Sequence, residues 1–132
     1  MKQILQYIPP YFTTIVVFIA ICYLSLAPDP MPEENRWLDF AGADKVVHFM
    51  MYCTLCVTFC FDYYRHNKRP HNSRIIIPVA GIAATLIGGF IEILQYSMQL
   101  GRSGDIIDFI ADTLGVCTGL FTGIMIFSRK KQ

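Results

Sequence analysis

Two aspartates, Asp108 and Asp112, stand one helical turn apart inside an apolar stretch that runs from Ile106 to Phe127. A stretch of that length can cross a hydrocarbon core roughly 30 Å thick as a helix. A carboxylate near the middle of such a helix costs roughly 2.5–3.5 kcal/mol on insertion scales. Two of them must be offset by partners, and those partners have to come from other parts of the chain. The pair therefore constrains the chain to pack several apolar helices around a shared polar interior.

The rest of the chain supplies such helices. Of 132 residues, 54% are hydrophobic and only 16% are charged, against about 25% charged in an ordinary soluble domain. Four stretches are long enough to span, at about 11–26, 45–63, 75–99 and 105–127. The expectation is an all-α, polytopic membrane protein of four transmembrane helices in one bundle, with residues 1–132 as a single domain. Pro9 and Pro10 suit the start of the first helix, and Pro28, Pro30 and Pro32 end it. Asp44 is placed near the N-cap of the second, and Pro78 in the first turn of the third. Lys2 ahead of an apolar run also fits a signal peptide, but Ser25-Leu26-Ala27 is a poor small-x-small cleavage site, so the segment is read as a span.

Positive charge sets the orientation. Lys2, Arg65, Lys68, Arg69, Arg74, Arg129, Lys130 and Lys131 fall on one side, and only Arg36, Lys45 and Arg102 on the other. The first group should face the cytoplasm, with both termini inside and the Ala27–Asp44 and Leu100–Gly104 loops outside. A formal net charge of +1 leaves no basic face for nucleic acid.

Residues three, four and seven apart share a helix face. Asp44, His48 and Tyr52 make one stripe on the second span. Gly88, Glu92, Gln95 and Gln99 make another on the third, continuing back through Ala84 and Gly81. Asp105, Asp108, Asp112, Gly115, Gly119 and Gly123 make a third on the fourth. The second and fourth spans enter from outside and the third leaves there, so the ionisable groups fall within roughly 12 Å of the outer boundary. Gly88, Gly115 and Gly119 would let helices approach closely.

Each element also has a plainer reading. His48 alone fits a histidine bonded to a carbonyl, Tyr52 an interfacial anchor, and Asp105 an acid favoured by the helix macrodipole. Cys53, Cys56 and Cys60 share a face roughly opposite or lateral to the Asp44–His48 stripe; a soft metal site is one reading, and small buried hydrophobes are the simpler account. A plainer reading of the entire network is that it only locks the helices together, although ionisable groups inside a membrane usually have a function.

These residues resemble the VanZ-like family of small bacterial membrane proteins. The resemblance lies in Asp44-Lys45-x-x-His48-x-x-x-Tyr52, then Gly88-x-x-x-Glu92-x-x-Gln95, then Arg102, then Asp108-x-x-x-Asp112-x-x-Gly115-x-x-x-Gly119. The chain departs from the pattern at Asp112, where asparagine is usual. The family takes its name from a protein associated with resistance to the glycopeptide teicoplanin, so the resemblance implies an envelope role without supplying a mechanism. The leading expectation is an outward-opening pocket of Asp44, His48, Tyr52, Glu92, Gln95, Arg102, Asp108 and Asp112 that binds a membrane lipid or lipid-linked envelope precursor. Arg102 at its rim would suit a phosphate. The alternative is an intramembrane enzyme using these carboxylates and His48 as acid, base or ligands to a divalent cation, although neither HExxH nor GxSxG occurs. A proton-coupled carrier of this size would need a homodimer. The motifs name no cofactor, no metal and no catalytic residue.

Overall fold

A computed structural model describes residues 8–27, 42–67, 72–98 and 106–129. They form four helices: α1 (Phe12–Leu26), α2 (Ala43–His66), α3 (Ser73–Met98) and α4 (Ile106–Ser128). All four expected stretches are helical. α2, α3 and α4 are long and apolar enough to cross a membrane. α1 has 15 residues and rises only about 22 Å. The boundary residues explain why it is short. Tyr11, its N-cap, has φ 57°, a left-handed conformation, and Ala27 at the other end is extended. Pro9 and Pro10 lie ahead of that cap and not in the first turn; the Pro9 carbonyl accepts the Phe12 N–H at 3.3 Å.

Two other boundaries differ from expectation. The N-cap of α2 is Gly42 at φ 96°, not Asp44. Glycine takes that conformation without steric cost, and Asp44 sits exposed in the first turn, where a negative charge complements the helix dipole. α3 begins at Ser73, which puts Pro78 in its second turn. There the missing N–H costs a helical hydrogen bond, which a proline in the first turn would not do.

The helices are held together largely by small residues. α2 and α4 run parallel and form the closest pair. Gly115 lies against the Phe49 carbonyl and Gly119 against the Cys53 carbonyl, where an added Cβ would strike backbone; at Gly123 it would meet Cys60 Cβ at 2.6 Å. On α3 the stripe of Ile77, Gly81, Ala84, Gly88, Ile91, Glu92 and Gln95 is buried. Cys56 and Cys60 are not lateral to the His48 stripe. Both are buried against the α4 glycines, because the four-residue spacing from Asp44 through His48 and Tyr52 runs on to them. Only Cys53 is offset.

The lipid-facing surface is apolar, with Ile19, Val79, Leu86, Ile93, Leu114 and Phe121 among its exposed side chains. Hydroxyls on such faces bond within their own helix, as Thr54 Oγ1 does to the Met50 carbonyl at 2.8 Å and Thr113 Oγ1 to the Phe109 carbonyl at 2.9 Å. At one end of the bundle Tyr11, Phe59, Tyr63, Tyr64 and Phe127 pack around Cys60 and Ile77. That cluster joins the start of α1, the end of α2, the start of α3 and the end of α4. The first and last helices therefore begin and end on the same side.

Candidate functional site

The opposite end holds the polar groups. His48 is in the second turn of α2, Asp112 in the second turn of α4, and Glu92 two turns before the end of α3. Each is roughly 8–9 Å from its helix end. His48 Nδ1 lies 3.0 Å from Asp112 Oδ1 and 3.5 Å from Glu92 Oε1. All three side chains are buried, at 3%, 1% and 7% exposure for His48, Asp112 and Glu92. Their donor atoms all lie within 4.8 Å of one another. Three helices thus bring one imidazole and two carboxylates to a single point.

Gly88 makes room for this meeting. A Cβ there would stand 3.0 Å from Asp112 Oδ2 and 3.3 Å from Tyr52 Oη. Both of those oxygens are buried, and among the described residues neither has a hydrogen-bond partner. Tyr52 is 1% exposed, so it points into the bundle and is not an interfacial anchor. Buried polar atoms are nearly always satisfied, so these two oxygens, both beside Gly88, are exceptions within the described bundle.

Nearer the starts of α2 and α4, Lys45 Nζ donates to Asp108 Oδ1 at 3.1 Å. Lys45 is partly exposed and Asp108 buried, so the lysine ammonium covers the carboxylate. Asp44, His48 and Asp108 also bring donor atoms within 4.8 Å. Lys45 stands in the Asp44-Lys45-x-x-His48 motif and among the outer charges, but its pairing with Asp108 on another helix is not something local spacing encodes.

Of the expected residues, the structure gathers His48, Tyr52, Glu92 and Asp112, with Asp44 and Asp108 above them. Gln95 serves a different contact: its Nε2 donates to the Ser25 carbonyl at 2.8 Å, tying α3 to the end of α1. Arg102 lies outside the described residues, as do Gln99 and Asp105.

One buried carboxylate lay outside the expected set. Asp62, fully buried in α2, accepts from the Thr14 backbone N–H at 3.0 Å and from Thr14 Oγ1 at 2.8 Å. It also lies 3.2 Å from Arg65 Nη2, which in turn donates to the Pro9 carbonyl at 3.2 Å. Thr14 is in the first turn of α1, where N–H groups lack helical acceptors. Asp62 supplies the missing cap from another helix. A signal was present: an acid in the last turns of a helix opposes the macrodipole and needs a partner.

The sequence profile of the VanZ/LLP1 family matches residues 2–128. The chain belongs to the VanZ/LLP1 family. No curated protein and no solved structure gives a significant match. With three helices apolar enough to cross a bilayer, this VanZ/LLP1 protein is a membrane protein, and its polar cluster stands among the family-like motif residues of α2, α3 and α4.

Proposed function

We propose that this protein is a four-span protein of the bacterial cytoplasmic membrane whose outer-end cluster binds the polar headgroup of a lipid or lipid-linked envelope precursor. The observation that carries this reading is the convergence of buried His48, Glu92 and Asp112 beside Tyr52 Oη and Asp112 Oδ2, which have no hydrogen-bond partner among the described residues. Such groups are costly at membrane depth unless paired. A headgroup rich in hydroxyl, amide or ammonium donors supplies what acceptor oxygens lack. The partly exposed Lys45 supplies positive charge beside the cluster, and a headgroup phosphate would rest against it. Both termini are cytoplasmic on the Lys/Arg bias, and α1 crosses with flanking residues and local bilayer thinning making up its length. Through such a ligand the protein would modulate envelope properties, glycopeptide susceptibility among them.

The test is native mass spectrometry of the purified protein in mixed micelles. A polyprenyl diphosphate and phosphatidylglycerol are offered alongside phosphatidylcholine. Selective retention of one anionic lipid supports the reading. Equal, weak retention of all three contradicts it.

An enzymatic reading draws on the same geometry. The 3.0 Å contact between His48 Nδ1 and Asp112 Oδ1 is the arrangement in which a carboxylate orients an imidazole for proton transfer. Release of a water-soluble headgroup from the retained lipid would select that reading.

A further inference from the structure

We propose that His48, Glu92 and Asp112 form a site for one divalent transition-metal cation, which bridges the protein to the headgroup phosphate. The proposal deepens the headgroup reading and rests on it for the bridging role; the metal site itself stands on the cluster's own geometry.

The first argument is the donor set. One imidazole nitrogen and two carboxylate oxygens converge within 4.8 Å of one another, from three different helices. A nitrogen with two oxygens suits a borderline cation such as Zn²⁺ or Mn²⁺, which takes imidazole and carboxylate together. It suits Ca²⁺ less, since calcium prefers a larger all-oxygen shell. Three protein ligands would leave open positions, as sites that bind an exogenous group do.

Tyr52, outside the triad, adds a further buried polar group beside it. Tyr52, 1% exposed, sends a hydroxyl with no hydrogen-bond partner among the described residues to the face of Gly88 that Asp112 Oδ2 also lines. A water or phosphate oxygen on a bound cation would accept from that hydroxyl, and such partners around metal sites are the rule.

The second argument is charge. Two carboxylates meet at one imidazole in a low-dielectric interior, so the cluster is acidic. An anionic headgroup would be repelled by it. A divalent cation removes the conflict, neutralising the carboxylates and attracting the phosphate.

The neighbouring group of Asp44, His48 and Asp108 is the weaker candidate. Lys45 Nζ sits 3.1 Å from Asp108 Oδ1, so an ammonium already takes that carboxylate and would repel a second cation. Cys56 and Cys60 are buried against glycines of α4, and among the described residues no cysteine joins a group of converging metal donors.

The experiment uses the full chain in detergent, with any affinity tag removed, stripped with chelator and titrated with Zn²⁺, Mn²⁺ and Co²⁺. Metal content, the Co²⁺ spectrum and thermal unfolding are read together. The proposal expects one metal per chain, a raised unfolding temperature, and a Co²⁺ spectrum without thiolate charge-transfer bands. Glu92→Gln and Asp112→Asn should each weaken binding at least tenfold with helicity unchanged. Failure of the wild type to bind, thiolate bands with Co²⁺, or full binding by folded variants would each overturn it. Should the variants fail to fold, the stoichiometry and spectrum of the wild type decide. Lipid retention is then repeated with and without chelator. Retention lost on chelation supports the bridge, and retention unchanged by chelation overturns it while leaving headgroup binding intact. Metal bound at the triad with no lipid retained refutes the headgroup reading and the bridge, and keeps the metal site.

Discussion

His48 Nδ1 and Asp112 Oδ1 are 3.0 Å apart across the α2–α4 interface, with both side chains buried. The contact exists because the two helices touch backbone to backbone one turn deeper, at Gly115 and Phe49. Polar chemistry at the end of the bundle thus depends on small residues beneath it.

Substitution at these glycines should separate rigid from yielding neighbours. A Cβ at Gly115 meets the Phe49 carbonyl, which is backbone, whereas a Cβ at Gly81 meets Leu120 Cδ1 at 2.6 Å, the far end of a flexible side chain. Gly115→Ala should lower stability by about 1–3 kcal/mol through overpacking, and Gly81→Ala by clearly less. Unfolding in detergent compares the two. Equal stabilities would mean that α2 and α4 do not approach closely at Gly115.

Asp62 and Thr14 define a purely structural contact at the other end. Asp62→Ala leaves the Thr14 N–H and hydroxyl without their acceptor, at a cost of about 1–3 kcal/mol. Thr14→Val removes only the hydroxyl and should cost about 0.5–1.5 kcal/mol. Hydrogen exchange should quicken in the first turn of α1, while lipid retention per folded molecule stays at the wild-type level. Unchanged exchange in Asp62→Ala would show that the cap is not needed.

Lys45 and Asp108 should be energetically coupled. Lys45→Met leaves a buried carboxylate uncovered, Asp108→Asn removes one charge partner of the ammonium, and the double variant avoids both. A double-mutant cycle on unfolding should give an interaction of about 0.5–3 kcal/mol, with the double variant more stable than the two single losses imply. Simple additivity would contradict the 3.1 Å contact.

The stripes on α3 and α4 were legible because small and ionisable residues recur at helical spacing, and a face built of Gly115, Gly119 and Gly123 has little use except close contact. The common depth of His48, Glu92 and Asp112 was legible from chain direction, since parallel α2 and α4 bring their first turns to the level of the last turns of α3. Other features need tertiary contacts that no local pattern encodes. Asp62 meets a threonine 48 residues away. Gln95 keeps its stripe but turns to Ser25 of α1, and an amide gives no sign of which neighbour it will choose. Cys56 and Cys60 extend the four-residue spacing of His48 and Tyr52, so they share that face and do not form a separate one with Cys53.

Orientation can be tested at exposed positions. Asn72 precedes α3 and Ser97 lies in its last turn. In a background lacking the native cysteines, Ser97→Cys should react with an impermeant maleimide applied to the outer face of the membrane, and Asn72→Cys only after lysis. The reverse pattern would move the polar cluster to the cytoplasmic side.

The central claim is that the cluster of His48, Glu92 and Asp112 holds a ligand and does not merely fasten three helices. Lipid retention by the Glu92→Gln/Asp112→Asn double variant, measured per folded molecule beside its thermal stability in detergent, tests it most directly. The amides keep shape and part of the hydrogen bonding while removing both charges, and two groups acting as one need not show additive single effects. The account predicts that retention of the anionic lipid falls at least tenfold while most of the protein stays folded. Retention at the wild-type level in a folded double variant would contradict it.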